Sequence, residues 1–229
     1  YKVAGLMAGY SAEADITGSI TDAGAVENVV ASYVIKLGEE DVTDQFGNVT
    51  TENGTLTITK RFLEITAENA VKTYDGTPLT AEYSITAGSL AEGQTLDSVT
   101  VTGSQLFPGS SANTASSAVI KDAEGNDVTG NYDITYVPGT LEVTKANIEI
   151  TITASSASKV YDGKPLASRG WRLTSGTLAT GDRLEVTVVG SITEVGTAVN
   201  KIISVKVMHD DTDVTENYII HKVNGHLKI

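Results

Sequence analysis

The triplet Asp-Val-Thr occurs three times in this chain, starting at Asp41, Asp127 and Asp213, and the intervals 127 − 41 and 213 − 127 are both 86 residues. Each copy opens the same succession. An aromatic follows three residues after the Thr (Phe46, Tyr132, Tyr218). A two-residue turn ending in Gly comes next (Asn53-Gly54, Pro138-Gly139, Asn224-Gly225), and then a short apolar run around Leu56, Leu141 and Leu227. A fixed interval of this size implies tandem modules, each a supersecondary unit. Residues 1–60 read as a β repeat truncated on its N-terminal side, and 61–145 and 146–229 as complete repeats. A module of about 85 residues is small but can bury its own core.

The local chemistry favours strands. Asn-Gly between alternating residues signals a hairpin, because both turn positions take positive φ, and Pro-Gly suits a type II turn. Hairpins on these turns set Tyr136 opposite Leu141, Ile134 opposite Val143 and Ile220 opposite Ile229, giving each an apolar face. The same register faces His226 to Val223 and His221 to Lys228. The first copy has one more residue between its aromatic and its turn, which predicts a β-bulge near Gly47. Further strands are expected from Phe62, from Ile148, and through Leu96, Leu184 and Ile203, with one helical turn at Ser89–Gly93.

Nothing in 1–60 matches the opening strand of the other two repeats. Its core is expected to have an unfilled edge, open to a strand lying upstream or supplied by another chain. The joins at Thr59-Lys60-Arg61 and Thr144–Ile148 contain no Gly/Ser-rich or Pro-rich linker, which predicts little hinge freedom and an elongated rod. Short strands with frequent turn signals point to an all-β chain of tandem Ig-like antiparallel β-sandwich modules. The alternative is a β-grasp-like module with one short helix across a sheet.

Composition narrows the function. There is no Cys, so neither disulfides nor thiolate metal sites hold the modules. The net charge of −13 argues against a basic nucleic-acid face. No run is long and apolar enough for a transmembrane helix. The chain starts at Tyr1 without Met and reads as part of something longer.

The order Tyr-Asp-Gly, Pro-Leu, a Gly-rich middle, Asn-Tyr and Gly-x-Leu appears as Tyr74-Asp75-Gly76, Pro78-Leu79, Asn131-Tyr132 and Gly139-Thr140-Leu141. It returns as Tyr161-Asp162-Gly163, Pro165-Leu166, Asn217-Tyr218 and Gly225-His226-Leu227. This resembles the YDG or MBG-type β repeats of bacterial cell-surface adhesin-like proteins. The first module departs from it, with no Tyr-Asp-Gly and with Gln45-Phe46 for Asn-Tyr. The resemblance implies secretion, attachment to a cell surface or wall elsewhere in the protein, and a stalk or adhesive role. Its partners would be neighbouring repeats and, in the second reading, host glycan or matrix protein.

Each candidate site has a plain structural counterpart. Tyr-Asp-Gly reads as a turn whose Asp bonds its own backbone and whose Tyr packs. Asn131-Tyr132 and Asn217-Tyr218 fit a tyrosine corner, the hydroxyl tied to nearby backbone. Asp122, Glu124, Asn126 and Asp127 set oxygens at calcium-like spacing, in a loop type rich in such residues anyway. No other cofactor is indicated. Lys72 with Asn131, and Lys159 with Asn217, are candidates for an intramolecular amide cross-link, or are simply solvated. Trp171 between Arg169 and Arg172 is a candidate sugar platform, or a strand aromatic packed inward. No nucleophile–base–acid order and no phosphate-cradling loop stands out, so an enzyme is not expected.

Overall fold

The computed structural model describes residues 1–229. It forms two compact units assembled from separate segments: Tyr1–Ile65, Ile85–Thr100 and Ser116–Tyr136 in the first, and Thr66–Ser84, Val101–Ala115 and Val137–Ile229 in the second. The chain is all-β. Its strands are β1 (Tyr10–Thr17), β2 (Gly24–Leu37), β3 (Glu40–Asp41) and β4 (Gly54–Ile58), then β5 (Arg61–Ala67), β6 (Ala70–Thr73), β7 (Tyr83–Gly88), β8 (Thr95–Thr102), β9 (Gly109–Lys121), β10 (Tyr132–Val137) and β11 (Gly139–Thr144). They continue as β12 (Ile148–Ala154), β13 (Ala157–Ser158), β14 (Leu166–Ala167), β15 (Trp171–Ser175), β16 (Asp182–Val189), β17 (Ser191–Ile192), β18 (Thr197–His209), β19 (Thr212–Asp213), β20 (Tyr218–Val223) and β21 (Gly225–Lys228).

The only helical pieces are three 3₁₀ turns, at Thr43–Gln45, Thr129–Asn131 and Thr215–Asn217. They sit on the three Asp-Val-Thr copies and share one construction. The Thr Oγ1 accepts a backbone N–H from the preceding long strand: Ile35 at 2.8 Å, Ile120 at 2.8 Å and Val207 at 2.9 Å. The Asp Oδ1 accepts the Thr N–H two residues on, at 2.9, 2.9 and 3.0 Å. A short side chain bonding its own backbone in this way turns the chain without a hairpin. Ser89–Gly93 is not helical. It holds a tight turn closed by Gln94 N–H on Ala91 O, so the cross-sheet helix of a β-grasp module is absent.

The sheets differ from the expected hairpins. β10 joins β5 and β7, whereas β11 joins β6 and β9. Likewise β20 joins β12 and β15, whereas β21 joins β13 and β18. Leu141 therefore faces Ala70 and Ser111 rather than Tyr136, Val143 faces Lys72 and Gly109 rather than Ile134, and Ile220 faces Ile150 rather than Ile229. His221 pairs with Thr151 and His226 with Val199, not with Lys228 and Val223. The reason lies in the glycines. Neither Gly139 nor Gly225 takes a positive φ, so the chain crosses from one sheet to the next instead of reversing. What these positions need is closeness. A Cβ on Gly139 would lie 2.3 Å from Ala67 O, and one on Gly225 would lie 2.4 Å from Ser155 O.

The pairing is also mixed rather than purely antiparallel. β6 with β11, β12 with β20 and β13 with β21 run parallel. Each such pair lies within one repeat, joined through a long excursion, as parallel strands require. Gly47 lies in a turn outside any strand. The bulges fall instead where Ala31, Thr174 and Ile203 are skipped in the β1–β2, β12–β15 and β16–β18 ladders. Skipping Ile203 leaves it outward and lets Ile202 and Val205 both face in.

Alternation supplies the core. Leu63, Ile65 and Ala67 of β5, and Ile150, Ile152 and Ala154 of β12, are buried at every second position. In the second unit these β12 residues pack with Val143, Val188, Ile202, Val205, Val207 and Tyr218. Burying one such aliphatic side chain contributes about 1.5–3 kcal/mol.

Candidate functional site

The two Tyr-Asp-Gly turns begin alike. Asp75 Oδ1 accepts Thr77 N–H at 2.9 Å and Lys72 Nζ at 2.8 Å. Asp162 Oδ1 accepts Lys164 N–H at 3.0 Å and Lys159 Nζ at 2.6 Å. The Lys72 ammonium, with help from Thr77, holds the Asp75 carboxyl down at about 2, and Lys159 likewise lowers Asp162. The tyrosines then part company. Tyr74 is 2% exposed and Tyr161 is 52% exposed, so the expectation of a packed tyrosine fails at Tyr161. A turn's local bonds fix its shape, but what its aromatic meets is set by tertiary contact.

Tyr74 meets the end of β16 in the second unit. Its hydroxyl donates to Asp182 Oδ1 at 2.7 Å, and Tyr218 donates to Asp182 Oδ2 at 2.6 Å. His209 Nδ1 lies 2.7 Å from Asp182 Oδ1. A carboxylate only accepts, so the proton in that contact sits on Nδ1. The Asp182 side chain has no exposed surface and that of His209 is 11% exposed. Burial, reinforced by the Asp182 carboxylate, raises both tyrosine hydroxyls above their ordinary pKa. Phe107 closes the site with its ring edge-on to His209, centroids 5.6 Å apart.

The backbone comes equally close. Thr180 N–H donates to Asp75 O at 3.0 Å. Gly76, at φ +79°, lies so near that a Cβ would stand 2.0 Å from Thr180 O. This is a latch. It joins the turn at 74–77 to the strands of the last repeat through one fully enclosed carboxylate and three donors. With no open face, Asp182 has no room to act on a substrate. Its chemistry is that of a buried charge satisfied by hydrogen bonds.

The remaining expected residues are placed elsewhere. Tyr132 and Tyr218 both accept a backbone N–H, from Ala91 and Ala179 at 2.8 Å each. Those amides lie 41 and 39 residues upstream, not on nearby backbone as in a tyrosine corner. Asp122 accepts Asn126 N–H at 2.8 Å and Glu124 N–H at 3.1 Å, and Asp127 accepts Thr129 N–H. The Asn126 side-chain amide, donating to Asp122 Oδ2 at 3.0 Å, lowers Asp122 together with these backbone bonds, the Thr129 side chain and N–H lower Asp127, and the loop is tied internally. No three His, Asp or Glu side chains converge at a metal-binding spacing.

Asn131 Nδ2 donates to Asp22 at 2.8 Å and its Oδ1 accepts Ala23 N–H at 2.6 Å. Asn217 Oδ1 accepts Ala146 N–H at 3.2 Å. Lys72 and Lys159 bind their own turns, so the structure brings neither Lys to the Asn proposed as its cross-link partner. Trp171 is half-buried on β15, opposite Ala154, and packs on the core, while Arg169 and Arg172 are exposed.

Asp182 escaped the sequence reading. It follows a glycine at a strand start, as ordinary turn acids do. Its counterpart in the middle repeat is Gln94, whose Oε1 accepts Tyr132 OH at 2.5 Å, so the motif gives no hint of a charge. His209 was visible only as one of three histidines.

Comparison with protein-family models, with curated proteins and with solved structures gave no match. Fold and site together define an all-β protein with several sheets, in which the Asp182 carboxylate is enclosed and hydrogen-bonded. No helix is long and apolar enough to cross a membrane.

Proposed function

We propose that this chain is a structural spacer from a secreted or surface-anchored bacterial adhesin-like protein of the YDG/MBG kind, built as Ig-like repeats in series. The observation that carries this reading is the Asp182 latch. A junction held by a desolvated carboxylate, three side-chain donors and a backbone contact resists hinging, because any opening strands a charge away from its partners. A spacer needs that property. A junction built for ligand capture or domain closure needs the reverse. The short joins at Thr59-Lys60 and 145–147 support it too, with strands ending at Ile58 and Thr144 and resuming at Arg61 and Ile148.

Small-angle scattering on the purified chain tests the shape. A maximum dimension several times the cross-section is expected, and a near-spherical particle rejects the spacer. A glycan array separates the second reading, in which the modules bind host glycan through Trp171 and the exposed Arg169 and Arg172. Binding that disappears in Trp171→Ala supports that reading, and the absence of binding supports the spacer.

A further inference from the structure

The middle and last repeats build the same sheet around β9 and β18. Its inner side is copied. Asn113 and Asn200, and Leu141 and Leu227, are fully buried at matching places, 87 and 86 residues apart (200 − 113 and 227 − 141). Its outer side is rewritten. By those intervals Val189, Val199 and Ile203 stand where the middle repeat has Thr102, Ala112 and Ser116. Lys201, His226 and Lys228 stand where it has Thr114, Thr140 and Glu142. Both sets are exposed. The middle repeat keeps these positions open although the chain continues on both sides of it, so the openness belongs to the repeat and not to its place in the chain.

The six residues of the last repeat form one patch. Val189 on β16 pairs with Lys201 on β18, and Val199 on β18 pairs with His226 on β21. Lys228 lies two residues beyond His226, opposite Thr197. Ile203 is the residue skipped at the bulge and points outward. The three aliphatics are each more than half exposed. The cations of this repeat that enter ion pairs are Lys159, Arg183, Lys206 and His209, so Lys201 and Lys228 carry uncompensated charge. None of this serves the fold, because the middle repeat makes the same sheet with small and polar residues outside. Clustered exposed aliphatics rimmed by charge mark a contact surface.

We infer that this patch docks a second copy of the chain, through the corresponding face of that copy's middle repeat. That face has what the patch lacks. Glu142 stands on β11 where Lys228 stands on β21, and the exposed Val71 is its neighbour on β6. The ion pairs of residues 61–145 use the carboxylates of Asp75 and Asp97, which leaves Glu142 unpaired. Residues 61–145 hold eleven acids against four Lys and Arg, whereas 146–229 hold nine of each. The two repeats are therefore complementary where two like repeats are not. Sheets stacked face to face lie about 10 Å apart, a gap that Lys and Glu side chains span together. A hydrophilic anionic polymer would match the cations but leave Val189, Val199 and Ile203 in water. Each copy offers both halves of the contact, so association follows from one sequence alone.

Sedimentation equilibrium of the purified chain tests this. The weight-average mass should rise with concentration above that of one chain, and should fall back in about 1 M salt, where charges are screened beyond about 3 Å. A variant carrying the middle repeat's own residues (Val189→Thr, Val199→Ala, Lys201→Thr, Ile203→Ser and Lys228→Glu) has a surface that this fold already bears, and should stay monomeric. Glu142→Lys should weaken association by about tenfold or more, as loss of a close interfacial charge pair does, and Glu142→Lys combined with Lys228→Glu should regain it. A wild-type chain that remains monomeric at every concentration overturns the proposal. Association that Glu142→Lys leaves unchanged, or that the exchanged pair does not regain, overturns the partner face. Capture of a monomeric chain on an anionic-polysaccharide column through Lys201 and Lys228 overturns the second copy and moves the occupant to a polymer. None of these readouts depends on the spacer role.

Discussion

Asp182 is the residue on which most rests. Replacing it with Asn keeps the volume but gives Tyr74, Tyr218 and His209 a neutral partner with one acceptor instead of two. Removing one member of a buried charged network costs about 3 kcal/mol, and Asp182→Asn is expected to lower the urea midpoint accordingly. Tyr74→Phe removes one donor and should cost about 1–2 kcal/mol. The glycines make a sharper comparison. Gly76 and Gly163 share a positive φ, +79° and +72°, but a Cβ on Gly163 meets nothing within 4 Å. Gly163→Ala should cost about 1 kcal/mol, for the left-handed backbone alone. Gly76→Ala carries the same penalty and must also push Thr180 away, so its loss should exceed about 3 kcal/mol. Equal losses in thermal denaturation would place the backbone contact elsewhere.

At the scale of elements, the sequence told strand from helix but not which strands pair. Alternation at Leu63-Ile65 and Ile148-Ile150-Ile152 marks core strands because period two is a local property. Leu96, Leu184 and Ile203 fall in β8, β16 and β18 as expected. Pairing is not local. Asn224-Gly225 carries a hairpin's residues, yet its glycine is selected by a carbonyl of Ser155 that lies 70 residues earlier (225 − 155). The latch was illegible for a similar reason. Its members Tyr74, Asp182, His209 and Tyr218 have no spacing in common, and although Tyr74 and Tyr218 sit in motifs, Asp182 and His209 do not. The same logic distinguishes two glycines that the repeat treats as equivalent. Gly139→Ala drives a methyl into Ala67 O and Glu68 O and should prevent β11 from joining its sheet, seen as lost exchange protection along 139–144. Gly54→Ala meets only ordinary van der Waals contact, with Asn28 at 3.8 Å, and should leave β4 unchanged.

For the whole molecule, charge sets the pH range. Asp41, Asp75, Asp122, Asp127, Asp162 and Asp213 all titrate below their ordinary value, held by neighbouring N–H, hydroxyl or Lys groups. Lowered folded-state values mean stability that is present above the unfolded value near 4 and is lost as pH falls through the folded one, toward about 2 at Asp75. These carboxyls are exposed, so each contributes little and the decline should be shallow. Tyr74 and Tyr218 act oppositely. Their raised values mean stability that is present below about 10 and lost above it. Denaturation midpoints measured from pH 2 to 11 should therefore form a plateau between about 4 and 10. Tyr74→Phe should flatten its alkaline edge while leaving the acid edge in place.

The latch also bears on synthesis. Tyr74 emerges from the ribosome 108 residues before Asp182, and Tyr218, which caps the second carboxylate oxygen, follows 36 residues after it. Until then the acid stays hydrated and its receptor is unfinished. The early turn must wait, already shaped by Asp75 and Lys72, for a pocket that is translated after it. Assembly is thus vectorial, and a nascent chain halted before Tyr218 would present a folded turn with nothing yet to grip.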